Sequence, residues 1–517
     1  MIDRKLWINI AIILCVSWLI SFFYLGNLPL LDPDEPVYAE TALEMIQNQD
    51  FISPRIYGEF WYDKPPMYYW LVAGAFKVFG ASEFAARFPS ALLAALGSVL
   101  LYLAGRKLFN DRAGLLSALV LATSLEYFYL SKAAVTDITL TFFLTGALLA
   151  FLLRKNYLFY ACAALAVVTK GPIGVVFCGA IVGLYLLLTG NIGLLKRMKL
   201  FSGGVLFSAI AVPWYWIMYY YHGMDFVDTF LGFHNVTRFL QPEHQSGVLW
   251  YYYIPVLIIG FFPWTAFLTQ AFIGGLRNKG QEKNYTIFLV IWASVVFLFF
   301  SVSQTKLVSY ILPMYPPLAL LVGWYFDKAW REKRSSVLKW SSMIFAILVV
   351  ALEAGLFKAG GVLAAQLVPL VKITAIILFL LVASIWWLSY RSNFRGVIVA
   401  NIIGMIFFTA FLVTQMLPVL APSLAVKDLV NDFKQYYDGQ SPVYVAKFYR
   451  PGFMFYSGMP GIELKSDELQ KAVQDKAGKS YFIAQKKYYE NLPPSIQGKI
   501  KLLTIVEDKA LFVYEAN

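Results

Sequence analysis

The chain reads as a succession of long apolar stretches separated by short polar ones. Runs of about 18 to 22 mostly apolar residues recur along most of its length, and a membrane-crossing helix needs that many. The pattern predicts spans over 6–25, 84–105, 113–130, 138–153, 157–169, 172–189, 200–218, 250–272, 286–303, 307–326, 337–356, 368–389 and 397–417, thirteen in all. Two interruptions are long, 26–83 and 219–249. Within the first, Pro36 to Gln47 has helical spacing, with Asp34 placed to cap it, and Met67 to Phe79 is apolar but too short to span. Both are expected to lie along the membrane interface. After Pro422 the periodicity becomes that of a soluble module. It predicts a helix over 427–437, then strands at Val443–Phe448, Tyr481–Ala484, Lys501–Val506 and Leu511–Tyr514. The expected architecture is an α-helical polytopic membrane protein over 1–420 carrying a small α/β domain over 421–517.

Composition agrees. The 517 residues are 59% hydrophobic and 14% charged, whereas soluble domains run near half apolar and a quarter charged. Cys15, Cys162 and Cys178 all fall inside predicted spans, without disulfide or metal-ligand spacing. A net charge of +12 would suit nucleic acid, but the basic residues sit in short clusters between spans. With the N-terminus inside, every inner loop is basic, from Arg4 and Lys5 through Lys196, Arg197 and Lys199 to Arg391 and Arg395. Thirteen spans then leave the C-terminal domain outside. The first span lacks a small-residue cleavage site and reads as an uncleaved anchor. No internal repeat supports an inverted-repeat transporter.

Candidate chemistry gathers in the stretch LLDPDEPVYAETALEMIQNQDFISPRIYGEFWYDKPP, with Asp32, Asp34, Glu35, Asp63 and Lys64. A helix bundle does not need an acidic loop. Transfer of a sugar from a phosphate-linked donor needs a base for the acceptor hydroxyl and cations for the departing phosphate, and this stretch has both. The plainer role for Asp34 and Glu35 is to favour a helix N-terminus. Asp137 lies at the outer end of a span with Lys132 nearby, either facing a polar cavity or forming a snorkelling pair. Lys170 and Lys306 stand at outer span ends, with Tyr310 one turn beyond the latter, and together suggest a shared anionic ligand. His222, His234 and His244 all fall in 219–249, where His234 and Arg238 are one turn apart. With a first-loop carboxylate they are candidates for holding a divalent metal. Trp61, Tyr62, Tyr68, Tyr69 and Trp70 suit either stacking on a sugar or an interfacial aromatic belt.

The ordered series DPDEPVYAE, YDKPP, AAVTD, TKGP, HNVTRF with WYYYIP, and SQTKLVSYILPMYPPLALL, from about residue 26 to 325, resembles the ArnT-like branch of the GT-C membrane glycosyltransferases. Protein O-mannosyltransferases are more distant relatives of that branch. The resemblance implies an inverting enzyme that takes a sugar from a polyprenyl (undecaprenyl) phosphate to lipid A or another envelope glycolipid, on the periplasmic face of a bacterial inner membrane. It implies Asp34 as catalytic base accompanied by Glu35, Asp137 as a second acid, and Lys64, Arg238 and Tyr310 at the donor phosphate. Lys306, Lys170 and Tyr62 join them as candidate substrate-binding residues. The chain departs from the family at Asp63, where Glu is usual, and at His234-Asn235, where Glu-His is usual. Both departures touch a possible zinc or magnesium site, with Asp63 and His234 as its ligands. Transfer to protein Ser/Thr, and flipping of a lipid-linked sugar, are the alternatives.

Overall fold

The computed structural model describes residues 3–237, 240–241, 249–363, 367–465 and 478–515. Every predicted span has a helical counterpart, but the helices differ in reach. Among the described residues seven are long and apolar enough to cross a membrane, or up to nine if each bent pair counts as one span, against the thirteen expected. Asp137–Leu152, Asn156–Lys170 and Ile173–Leu188 have 16, 15 and 16 residues. At 1.5 Å per residue each is about 24 Å long or less, short of a bilayer core of about 30 Å.

Contacts divide the chain into two compact units. The first comprises Met1–Phe23, Tyr62–Tyr68 and Pro89–Leu412. Two of its expected spans are broken. Asp111–Ala122 turns by 64° into Leu125–Ser131, and Tyr253–Gly260 turns by 109° into Thr265–Leu276. A break frees backbone groups that lipid cannot satisfy. Here the breaks answer one another: the Leu125 amide donates to the Phe262 carbonyl at 3.1 Å, and Trp264 Nε1 donates to Thr123 Oγ1 at 2.9 Å. Beside them the Tyr315 hydroxyl donates to the buried Glu126 carboxylate. The expected span 307–326 opens as a 3₁₀ turn, Val308–Met314, before becoming α-helical over Tyr315–Arg331. The predicted loop 219–249 is helical at its start: Leu200–Val227 kinks at Gly223, just past His222, and π-helical turns follow through Asp228–Thr237.

The second unit comprises Tyr24–Trp61, Tyr69–Phe88 and Val413–Asn517. Its short β1 (Arg55–Ile56) and β2 (Glu59–Phe60) form a hairpin whose turn residues, Tyr57 and Gly58, both have positive φ, as a two-residue I′ turn requires. The predicted C-terminal strands are present as β3 (Val443–Val445), β5 (Ser480–Gln485), β6 (Ile500–Val506) and β7 (Lys509–Tyr514), and β4 (Ile462–Glu463) completes the sheet. Their order is β4-β3-β5-β7-β6, with β3 parallel to β4 and β5 and the β5–β7–β6 pairs antiparallel. Alternate residues of β5 enter two cores. Tyr481 and Ile483 pack on the Lys427–Tyr436 helix through Leu429, Val430 and Phe433, while Phe482 and Ala484 face Leu492 and Ile500. A strand covered on both faces is apolar at successive positions, which is why SYFIA shows no alternation.

Of the two helices expected along the membrane interface, each packs one face on protein, and Met67–Phe79 leaves Trp70, Val78 and Phe79 exposed. In Asp34–Gln47 nine of 14 residues are buried, among them Glu40 and Glu44. In Met67–Phe79, Tyr68 and Tyr69 are fully buried, and Tyr68 shares a 2.9 Å hydrogen bond with Ser90, so these two rings do not form a belt. Asp34 does not cap its helix: Pro33 occupies that position and Asp34 is the first helical residue.

Glycine allows close backbone approach in the first unit. A Cβ on Gly114 would lie 2.6 Å from the Arg106 amide nitrogen and 2.7 Å from the Tyr102 carbonyl oxygen, and backbone cannot swing aside. Gly114→Val is expected to destabilise the detergent-solubilised protein by about 3 kcal/mol or more. The unfolding midpoint checks this, and a wild-type midpoint would disprove the constraint.

Candidate active site

The acidic loop belongs to the second unit, and its two neighbouring acids have different surroundings. Asp34 is exposed at the first turn of its helix. Glu35 is buried and gripped by Arg87, whose Nε donates to Oε1 at 2.8 Å and whose Nη2 donates to Oε2 at 2.6 Å. Arg87 also donates to the carbonyls of Leu25 (3.2 Å), Leu28 (2.7 Å) and Pro29 (2.6 Å), and Glu35 Oε2 accepts the Leu31 amide at 2.8 Å. One planar guanidinium thus gathers the chain leading into Asp34 and ties it to the next residue. This makes Glu35 a positioning residue, with both carboxylate oxygens occupied. Arg87 escapes a sequence reading because it is a lone cation near the start of a predicted span. The one available signal is an arginine inside an apolar run, which needs a buried partner.

The C-terminal part of the same unit holds this loop from its other side. The Asp32 amide donates to the Leu424 carbonyl at 3.0 Å, and its Oδ2 accepts the Val426 amide at 2.8 Å. The Leu30 amide donates to the Tyr456 hydroxyl oxygen at 2.7 Å. Lys509, wholly buried, donates to the carbonyls of Pro422 and Ser423 at 2.7 and 2.8 Å. Burial pushes the Asp32 carboxyl up to about 8 despite the Val426 amide and Lys509, and burial beside Glu44 does the same to Glu40.

The first unit brings together the other predicted residues in two groups. Asp137 starts the Asp137–Leu152 helix and Lys170 ends Asn156–Lys170, so each charge sits at the helix end that favours it. Lys170 Nζ lies 2.7 Å from Asp137 Oδ1 and 4.9 Å from the centre of the Tyr310 ring. The expected neighbour of Asp137, Lys132, turns away to the carbonyls of Ser21 and Phe23. In the second group, Asp63 Oδ1 is 2.8 Å from Lys64 Nζ and 2.8 Å from His234 Nδ1, while Tyr62 packs at 5.4 Å on the His222 ring. Lys306 is buried and donates to the Ser303 carbonyl at 2.6 Å, at the end of the Lys283–Val302 helix. Arg238 and His244 lie outside the described residues.

Asp63 and His234 are therefore neighbours, but the donor set does not fit a closed metal centre. Among the described residues no group of three His, Cys, Asp or Glu could hold an ion, and the Asp63 oxygen nearest His234 already faces a lysine ammonium.

Residues 63–217 match a family described as dolichyl-phosphate-mannose-protein mannosyltransferase. An uncharacterised protein of Aquifex aeolicus (strain VF5) is 30% identical over 381 residues, which cover 71% of this chain and 73% of that protein. An undecaprenyl phosphate-alpha-4-amino-4-deoxy-L-arabinose arabinosyl transferase of Edwardsiella ictaluri (strain 93-146) is 29% identical over 340 residues, covering 62% of this chain and 59% of the relative. In fold the chain is similar to ArnT from Cupriavidus metallidurans bound to undecaprenyl phosphate, with a TM-score of 0.82 over 99% of this chain and 98% of that one, at 22% identity.

Two outcomes follow from the loop. Arg87→Met leaves the Glu35 carboxylate buried without its cation and should cost about 3–5 kcal/mol in unfolding experiments. Adding Glu35→Leu should recover part of that loss, and no recovery would show that the carbonyl contacts dominate. Separately, Asp32 and Glu40 keep their protons to about pH 8 when folded, whereas the unfolded chain releases them near 3.8 and 4.5. Stability should therefore fall as pH rises from about 4 to about 8 and level off above it. Unfolding midpoints across pH 5–9 check this, and the fall should be shallower in Asp32→Asn and Glu40→Gln.

Proposed function

We propose, on the premise that this chain belongs to the ArnT-like GT-C membrane glycosyltransferases, that it transfers a sugar from a polyprenyl-phosphate donor to lipid A or a related envelope glycolipid. The observation that carries this reading is the pairing of two of the predicted lysines with one acid each, Lys170 with Asp137 beside Tyr310 and Lys64 with Asp63. Such pairs hold cations ready in a poorly solvated place, where an incoming phosphate competes for the ammonium group. The names of the arabinosyl transferase relatives and the undecaprenyl phosphate in the similar ArnT structure support a polyprenyl-phosphate donor.

In the proposed reaction the acceptor hydroxyl oxygen attacks the sugar C1 from the face opposite the donor phosphate. The C1–O bond to phosphate breaks, its electron pair leaves with the polyprenyl phosphate, and configuration inverts. Asp34 takes the acceptor proton; its exposure at a helix start suits a group that must meet substrate. Lys64, Lys170 and Arg238 carry the charge of the leaving phosphate. Lys306, turned to the Ser303 carbonyl, acts only by holding the turn before Tyr310. Glu35 orders the loop and exchanges no proton.

The basic clusters at alternate loops support an inner-membrane protein with its N-terminus in the cytoplasm and the residue 421–517 domain in the periplasm. The departures at Asp63 and His234-Asn235 leave the sugar open within this class. The match of 63–217 to a protein mannosyltransferase family favours protein Ser/Thr as the second acceptor reading.

The test is mass spectrometry of lipid A and envelope glycolipids from membranes carrying wild type or Asp34→Asn. Wild type should add a sugar-sized mass, and the variant should lose about 100-fold or more in rate. A modified glycoprotein fraction with unmodified lipids would replace the lipid acceptor by protein. Equal transfer by the variant would remove Asp34 from the base role.

A further inference from the structure

An apolar groove of about 450 Å³ lies within the first unit between the helices Asn156–Lys170, Ile173–Leu188 and the start of Leu200–Val227. That size is within the roughly 300–1,000 Å³ range of small-ligand pockets. Glycines leave it open. Gly179 and Gly183 are one turn apart on one wall and Gly204 stands on another, and a Cβ at any of the three would meet nothing within 4 Å. The groove is lined by carbon along its length, so within a membrane its occupant is a hydrocarbon chain.

One end of the groove is charged. Lining residues Leu195, Met198 and Leu200 alternate in sequence with Lys196, Arg197 and Lys199, all three exposed. This segment is pinned to the start of the Asn156–Lys170 helix. Asn156 Nδ2 donates to the Arg197 carbonyl at 2.7 Å, Lys199 Nζ lies 4.8 Å from the Tyr157 ring centre, and Tyr160 donates to the Met198 carbonyl at 3.1 Å. The exposed Arg154 and Lys155 immediately precede that helix. No Asp or Glu occurs between Asp137 and Asp225, so no acid in this stretch of chain offsets the cluster. Lys170 is at the other end of the same helix, about 22 Å away along its 15 residues. The basic end is therefore not the place where Lys170 meets a donor phosphate.

We propose that this groove is a binding site for an anionic phospholipid of the bilayer, with one acyl chain along Gly179, Gly183 and Gly204 and the headgroup phosphate on Lys196, Arg197 and Lys199. Charge decides the occupant: a zwitterionic lipid fills the groove equally well but gains little from the basic end, whereas each lysine or arginine at a membrane surface favours an anionic headgroup several-fold. Topology signals alone call for basic residues in such a loop, but they do not call for an open groove beginning between those residues.

Native mass spectrometry of the full-length protein tests this, after equilibration in mild detergent with equal amounts of phosphatidylglycerol and phosphatidylcholine of matched chains. Wild type should retain one phosphatidylglycerol in preference. The combined Lys196→Ala, Arg197→Ala and Lys199→Ala variant should lower that retention on the order of tenfold or more while leaving phosphatidylcholine unchanged. Gly183→Leu, which fills the groove without a clash at Cβ, should lose the retained lipid of either kind. Unfolding midpoints report whether each variant is folded, and the triple alanine variant decides alone if Gly183→Leu is not. Equal retention of the two lipids by wild type overturns the proposal. So does unchanged retention by the triple variant, or replacement of the phosphatidylglycerol by added undecaprenyl phosphate.

Discussion

A charge taken out of water must find its partner, and the acidic loop of this protein is built on that requirement. Arg87 and Glu35 are both nearly inaccessible, and each would be costly alone. Together they make a paired, five-bonded knot that also gathers the carbonyls of Leu25, Leu28 and Pro29. The result is a loop with little freedom immediately before Asp34. A group that must meet a substrate gains most when its position is set before the substrate arrives.

The same requirement explains the place of the C-terminal segment. Its linker residues Leu424 and Val426 bond to Asp32, Tyr456 bonds to Leu30, and Lys427 pairs with Glu83 at 2.6 Å. These contacts all lie within one compact unit, which includes 24–61 as well as 413–517. The C-terminal segment therefore bonds directly to the acidic loop through its linker and Tyr456. Arg450 stacking at 3.8 Å on Tyr57 extends the same bracing to the β1–β2 hairpin.

In the first unit the constraint falls on backbone as well as on charge. Broken helices expose amides and carbonyls; across the breaks after Ala122 and Gly260 the Leu125 amide meets the Phe262 carbonyl, and the Trp264 and Thr123 side chains bond beside them. Glycine and serine allow the approach: a Cβ on Gly323 would lie 2.3 Å from Ser117 Oγ. Small residues do in lipid what large apolar ones do in water, because apolar burial there no longer drives helices together. Asp137, Lys170 and Tyr310 are held at helix ends and in a 3₁₀ turn, where the chain leaves regular α-helix.

The sequence by itself determined the helical membrane class, the location of each apolar element and the α/β module, since these follow from local hydrophobic period. It also singled out Asp34, Lys64, Asp137 and Lys170, because a charge beside a long apolar run has few structural uses. Only the tertiary structure decided which charge meets which. Asp137 takes Lys170, 33 positions away, rather than the nearer Lys132, and Glu35 takes Arg87 across 52. Periodicity reports which face of an element is apolar, and it carries no record of the element opposite. For the same reason Asp34–Gln47 and Met67–Phe79 were legible as helices, but the partners of their buried residues, such as Ser90 for Tyr68, were not. What covers a helix is settled by distant segments, and those meet only in the folded chain.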